Sequence, residues 1–336
     1  MSLSVPSTMK AARRVGNGYL ADSLQVDTDV PWPKNANALP PKHVLVKVAY
    51  TSLNPVDAKI PDAPLVGRLA FKGIPCFDYA GTVVRSSDAK FKEGQRVFGQ
   101  TEIPNFGACA EYLVVSSKSC FLLPDEVKLE DAATIGIAGL TAYQCLVPFV
   151  GKGDTVLING GSGGTGTFGI QIAKVIGCSV TAICSGANAE LCKSMGADEV
   201  IDYRSQDVVD VLKQGGQRYD LMVDNVFADA KLYWSCHEYL KPSGRYLTIA
   251  GGPDFQFITR YMSVSLWPSF LGGGQRSFKF LAAATQSQDY EQLANWVADG
   301  VLKPVIEQVY AIEDVREAFK RLGTGRVRGK LVIKIS

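Results

Sequence analysis

The stretch TVLINGGSGGTGTFGIQIAKVIGCSVTAI, Thr155 to Ile183, restricts the fold more than any other part of the chain. Thr155–Ile158 is β-branched and aliphatic and reads as a buried strand. A glycine turn follows, then an apolar segment with helical spacing, then a second apolar strand. Gly161, Gly163 and Gly166 fit G-x-G-x-x-G. The match carries weight because it sits between a strand and a helix start. Residues without a Cβ let the backbone close on a pyrophosphate, and free N–H groups at a helix N-terminus point at it. The turn therefore points to a dinucleotide held by Gly161, Ser162, Gly163, Gly164, Thr165 and Gly166. The competing reading is a glycine turn with no ligand.

Sequence on either side of this unit has a different character. Before about Glu130 the chain is β-rich, with short strands at Val44–Val48, Ala80–Val84, Arg96–Phe98 and Glu111–Val115 separated by turn signals. That spacing predicts a compact barrel-like domain. From Leu129 the pattern becomes a helix to Leu146, the glycine-turn strand, then alternating helices and strands at Val200–Ile201, Leu221–Asp224, Arg245–Ile249 and Phe278–Ala283. Alternation of this kind predicts a doubly wound parallel sheet. An amphipathic helix is expected over Tyr290–Ala298. The tail, with a helix at Ile312–Leu322 and a strand at Lys330–Ile335, is expected to return and complete the first domain. The expected division is 1–129 with 287–336 as one domain and 130–286 as the other, in keeping with the two domains that 336 residues suggest.

Basic and acidic residues nearly balance, 35 against 33, and no basic block stands out, which argues against a nucleic-acid partner. Ala132 to Gly151 lacks charge, but its threonines, Tyr143, Gln144 and Pro148 favour a buried helix and turn over a membrane span. The N-terminus has no signal-like apolar run, and none of the eight scattered cysteines forms C-x-x-C. Reduced thiols in a cytoplasmic protein are expected.

A fold of this kind reads its cofactor at the end of the second strand, about 20 residues past the turn. Here that position is Cys184-Ser185-Gly186-Ala187-Asn188, with no acid before Glu190. A carboxylate would repel a 2′-phosphate, whereas hydroxyl and amide donors at Ser185 and Asn188 would bind it. Tyr203 and Arg204, after the third strand, can add donors. NADPH is the expected cofactor, against the simpler reading that Ser185 and Asn188 only build a turn.

The segments TSLNPVDAK (51–59), FDYAGTVV (77–84), GLTAY (139–143), the glycine turn, GADEVIDYR (196–204) and GKLVIKI (329–335) together resemble the medium-chain dehydrogenase/reductase superfamily over essentially the whole chain. Within it the chain is most similar to the zinc-free quinone oxidoreductases, a branch that includes alkenal/oxoene reductases and trans-acting enoyl reductases of fungal polyketide pathways. The resemblance implies an α/β protein, with a GroES-like β-barrel substrate domain, a Rossmann domain and an active site in the cleft between them. Zinc-dependent members place Cys where this chain has Asn54, and a His–Glu pair where it has Phe77-Asp78. Catalytic zinc needs about three N, S or O protein ligands, and phenylalanine supplies none. The closely spaced cysteines of a structural zinc lobe are also missing near residues 95–110. No bound metal is expected.

Without a Lewis acid the chemistry that suggests itself is hydride transfer to the β-carbon of an enone, enal, quinone or enoyl thioester. Negative charge then develops on the carbonyl oxygen and needs a donor or cation. Asn54 offers an amide near the position of the family's zinc. Lys59 offers a charge, and similar fungal enoyl reductases treat a lysine after LNP as functionally important. A surface lysine or a cofactor phosphate contact is the rival reading of Lys59. Asp57 is expected to orient the loop. The resemblance further implies a cofactor contact at Thr141, against a backbone-bonded helix hydroxyl, while Lys330, beginning the last strand, reads equally as a residue facing the cofactor or a strand-end charge. Tyr79 reads as a core tyrosine or a proton donor. Residues 255–274, FQFITRYMSVSLWPSFLGGG, read as an aromatic-rich loop that could line an apolar pocket, pair across a homodimer, or be core. Pro61–Phe71 reads as a lid. The resulting expectation is an NADPH-dependent reductase of activated C=C bonds or quinones. The alternatives are a pathway-specific trans-acting enoyl reductase and a non-catalytic NADPH-binding protein.

Overall fold

The computed structural model describes residues 7–63, 67, 71, 73–102, 105–252, 255–268, 271 and 273–336. The chain forms two compact units, Met1–Leu140 with Thr285–Ser336, and Thr141–Ala284. The division falls past the Glu130 boundary read from the sequence. Residues 129–140 belong to the first unit because they pack on its sheet, where Ile137 N donates to the Asp78 carboxylate at 2.9 Å.

Numbered in chain order, the first unit contains β1 (Thr8–Arg14), β2 (Leu24–Pro31), β3 (His43–Leu53), β4 (Asp78–Ser86), β5 (Arg96–Gln100), β6 (Tyr112–Ser116) and β7 (Cys120–Leu122). The tail adds β14 (Ile306–Ala311) and β15 (Lys330–Lys334). β1 and β2 form a ribbon. The others form one sheet in the order β14-β15-β3-β4-β5-β7, with β6 also on β3. β3 is the organising strand. Its first half pairs with β6 (His43↔Ser116 to Lys47↔Tyr112) and its second half with β15 (Tyr50↔Lys334 to Leu53↔Leu331), while β4 runs along the other edge. Its sequence, HVLVKVAYTSL, is rich in the β-branched residues that suit a strand paired on both sides. The enclosed core includes Val44, Val46, Val48, Leu53, Val83, Val97, Phe319, Leu331 and Ile333.

The second unit is a six-stranded parallel sheet of β8 (Thr155–Asn159), β9 (Ser179–Cys184), β10 (Glu199–Asp202), β11 (Tyr219–Asp224), β12 (Leu240–Thr248) and β13 (Ser277–Phe280), in the order β10-β9-β8-β11-β12-β13. The strand order reverses between β8 and β11, and the glycine turn leaves the C-terminal end of β8 at that point.

Two elements differ from the sequence expectation. The helix expected over Leu129–Leu146 is broken into Leu129–Ala132, a π-helical turn Ile135–Gly139, and Leu140–Leu146. Gly136 in that turn lies against Asp78, where an added Cβ would stand 2.2 Å from Oδ1. Residues 255–274 are not a loop throughout, since Phe255–Leu266 is a helix of 12 residues. Phe257, Tyr261 and Val264 recur at helical spacing on its inner face and pack toward Phe227, Phe278 and Phe280. Phe255, Ile258, Met262 and Leu266 are exposed on its outer face. Residues 269, 270 and 272 of that segment, and most of the lid read at Pro61–Phe71, lie outside the described residues. Among the described residues no helix is long and apolar enough to cross a membrane.

Candidate active site

In the second unit, the helix Gly164–Ile176 begins directly on the glycine turn with Gly163 as its N-cap and no side-chain cap. Its first N–H groups are thus left for an anion, and the helix dipole adds to their attraction. Each glycine has its own reason. Gly160 takes a left-handed φ of 74° to leave the strand. A Cβ on Gly166 would lie 2.2 Å from Gly160 O and 2.7 Å from Gly161 Cα, so helix and turn can close only without one. A Cβ on Gly163 would meet no protein atom nearer than Gly160 O at 3.5 Å. The protein therefore leaves room for a methyl on Gly163 in ordinary van der Waals contact. A cradle that a Cβ would fill, beneath uncapped N–H groups, fits the pyrophosphate of a dinucleotide.

Neighbouring residues extend this cradle. Asn188 Nδ2 donates to Ser162 Oγ at 3.0 Å, tying the loop after β9 to the glycine turn. Ser185 is half-buried in that loop, and Tyr203 is exposed just past β10, its N–H on Cys184 O at 3.2 Å. One residue here was invisible to linear reading. Asp202 pairs with Cys184 across β10 and β9, which sets an acid beside the Ser185–Asn188 loop. Its carboxylate accepts from Arg204 N at 3.0 Å and Ser205 Oγ at 3.0 Å, and a Cβ on Gly186 would meet Oδ2 at 2.5 Å. The Arg204 N–H leads the contacts that hold Asp202 below the usual carboxylate range, with Gly186 N–H and Ser205 adding to it. Thr141 is buried in the helix Leu140–Leu146.

In the first unit, the sequence LNPVD builds a helix start and a polar cluster together. Asn54 is extended at the N-cap of the helix Pro55–Asp62, with proline at the first position, where its missing N–H costs nothing. Asp57, three residues on, accepts from Asn54 N at 2.6 Å and Phe77 N at 3.1 Å, which ties the helix start to β4. Asn54 Nδ2 donates to Asp78 Oδ2 at 2.8 Å, and Ser52 Oγ donates to the same oxygen at 3.0 Å. Lys330, opening β15, donates from Nζ to Asn54 Oδ1 at 2.5 Å and to Leu53 O at 2.9 Å, with Asp78 Oδ2 at 3.6 Å. Asn54, Asp57, Asp78 and Lys330 are all buried.

Burial pushes Asp57 up to about 8, and the nearby Asp78 adds to the shift. Both Asp57 oxygens nonetheless accept backbone N–H groups, which favours the charged form. Burial likewise raises Asp78, against the pull of Lys330 and Asn54, and lowers Lys330, against the pull of Asp78 and Asp57. Lys330 is therefore an interior cation bound within the cluster, not a charge at an open strand end. Lys59 stands on the exposed face of the helix Pro55–Asp62. Tyr79 is core, with its hydroxyl on Ser119 O at 2.8 Å. Phe77 packs on Phe106 with ring centroids 4.1 Å apart and the rings tilted by 32°. Among the described residues no three His, Cys, Asp or Glu side chains are placed to hold a metal ion.

Residues 40–125 match the family described as the alcohol dehydrogenase GroES-like domain, and residues 195–333 the family described as zinc-binding dehydrogenase. A trans-enoyl reductase of Aspergillus terreus is 40% identical, covering 100% of this chain and 98% of its own. A chloroplastic quinone-oxidoreductase homologue of Spinacia oleracea is 29% identical, over 97% and 98%. The solved quinone oxidoreductase of Coxiella burnetii superposes with a TM-score of 0.83 at 26% identity, covering 98% of this chain and 100% of that one.

Proposed function

The chain belongs to the medium-chain dehydrogenase/reductase superfamily, in its zinc-independent quinone oxidoreductase and enoyl reductase branch, and from that premise we propose that it is an NADPH-dependent reductase of conjugated C=C bonds or quinones. The observation that carries the reading is the Asn54 amide, set in a buried polar cluster at the position where zinc-dependent relatives have a metal ligand. One of its N–H groups goes to Asp78, and the other has no acceptor among the described residues.

A bound nicotinamide would supply the hydride. The hydride would add to the β-carbon and a proton from solvent to the α-carbon, while the chain's residues bind, orient and stabilise charge. The first-turn N–H groups and Ser162 bind the pyrophosphate. Ser185, Asn188 and Tyr203 donate to the 2′-phosphate. Asn54 donates to the substrate carbonyl oxygen as negative charge grows there, and Lys59, on an exposed helix face, adds a weaker, solvent-screened positive field. Donors aimed at developing charge are worth about 2.7–4 kcal/mol each when removed from well-built sites. The free thiols support placing the protein in the cytoplasm.

The A. terreus relative favours a narrower second reading, in which the substrate is a carrier-bound enoyl thioester of a secondary-metabolism pathway. NADPH oxidation measured over enals, enones, quinones and enoyl thioesters separates the two. Turnover of small enones or quinones supports the broad reading, and turnover of long thioesters alone supports the narrow one. Tight NADPH binding with no oxidation across the panel would overturn both. Among the described residues, Asp202 beside the Ser185–Asn188 loop speaks for NADH. Equal or tighter NADH binding would reverse the cofactor assignment.

A further inference from the structure

Asn54 is more tightly held than a hydrogen-bond donor alone requires. We propose that Lys330 and Asp78 are positioning residues that lock the Asn54 carboxamide in one of its two orientations, so that its remaining N–H is a fixed donor. This rests on Asn54 being the donor described above.

A carboxamide has two nearly isosteric orientations related by a half-turn, distinguished only by its partners. Here the partners are opposite charges. Lys330 Nζ lies 2.5 Å from Oδ1, and Asp78 Oδ2 lies 2.8 Å from Nδ2. A flip would set the amide N–H groups against an ammonium and the amide oxygen against a carboxylate. Two charge-assisted bonds would be replaced by two repulsions, in a site too buried for water to compensate.

The contacts are also not those of a simple ion pair. Lys330 and Asp78 are 3.6 Å apart, farther than either is from the amide between them. Each locking group is fixed in turn. Lys330 holds Leu53 O, at the end of β3, where the register sets Leu331 opposite Leu53. Asp78 takes Ser52 Oγ on one oxygen and Ile137 N, from the π-helical turn, on the other. β3, β4, β15 and the π turn thus converge on one side chain. The cofactor contact read for Lys330 from its place at the start of the last strand is the rival assignment.

The test uses full-length Lys330→Met, Lys330→Arg, Asn54→Ala and the Asn54→Ala/Lys330→Met double variant. kcat is read at saturating NADPH with an acceptor that the wild type reduces, and the NADPH dissociation constant is read by fluorescence without acceptor. We expect Lys330→Met to lower kcat about tenfold or more with NADPH affinity held within about twofold, Lys330→Arg to restore most of kcat, and Lys330→Met to cost nothing further once Asn54 is alanine. If Lys330→Met does not fold, Asp78→Asn/Lys330→Met removes both charges at once and must show the same kcat loss. Weakened NADPH binding with kcat intact would make Lys330 a cofactor contact and overturn the inference. So would multiplicative losses in the double variant. An unchanged kcat in Asn54→Ala would instead overturn the donor role itself, and the inference with it.

Discussion

Lys59 and Asn54 are five residues apart and sit in different physical settings. Asn54 is buried among charges, and Lys59 is on an exposed helix face. An exposed cation acts through water and contributes little fixed field, so Lys59→Ala should lower kcat/KM by less than about tenfold, while Asn54→Ala loses about 10²-fold or more. Steady-state kinetics on the two variants checks the order, and a larger loss at Lys59 would reverse their roles. Asn54 was legible in the sequence because it replaces an expected metal ligand. Its lock was not. Lys330 lies 276 positions from Asn54, and only the β3–β15 register brings them together. Asp202 was hidden for the same reason, since strand adjacency and not sequence proximity places it beside the Ser185–Asn188 loop.

At the scale of elements, the glycine turn separates folding from binding within one motif. Gly163→Ala introduces a methyl that the protein tolerates but that fills the cradle. It should leave the Tm unchanged and weaken NADPH binding at least about tenfold, as fluorescence titration would show. Gly166→Ala drives a methyl into backbone, and overpacking of that kind costs about 1–3 kcal/mol, so the Tm itself should fall. Equal Tm values for the two variants would contradict this division. A second element-scale device ties the tail together. Glu307 on β14 accepts from Arg321 Nε at 2.6 Å and Nη2 at 2.9 Å, and from Arg328 N at 2.6 Å. Burial works to raise Glu307, but these bonds outweigh it and hold it below the usual glutamate value of 4.5. The unfolded chain therefore binds this proton first as pH falls, and the stabilisation, full above the unfolded value, is lost through the folded one. The stability gap between wild type and Glu307→Gln should shrink in acid, as denaturant unfolding from pH 7 to pH 3 would show. The parallel strands were legible from apolar runs. The helix Phe255–Leu266 was not, because its aromatic content masked a helical period, and β1, TMKAARR, carries no strand-like alternation.

Over the whole molecule, all eight cysteines are free and buried. Burial pushes Cys120, Cys145 and Cys236 to about 12 and Cys178 to about 11, so these four carry little thiolate near neutrality, whereas the Cys192 hydrogen bond draws Cys184 below the ordinary thiol value. An aromatic disulfide reagent should label the native protein slowly and all eight sites once guanidinium unfolds it, and fast native labelling would mean that a thiol is open. The two units also differ in how the chain makes them. The parallel-sheet unit is one continuous segment, whereas the other must wait for β15, which closes on β3 with 277 positions between Lys330 and Leu53. Domains fold as they leave the ribosome, and pairings distant in sequence form late. During synthesis a dinucleotide-binding unit can therefore exist beside a first sheet that lacks β15, and in which Asp78 has no cation. In pulse-labelled hydrogen exchange during refolding, amides of β8 and β11 should be protected before those between β3 and β15. The protein would then acquire its capacity to bind a nucleotide before its capacity to use one, and the interval between the two would be set by the arrival of a single lysine.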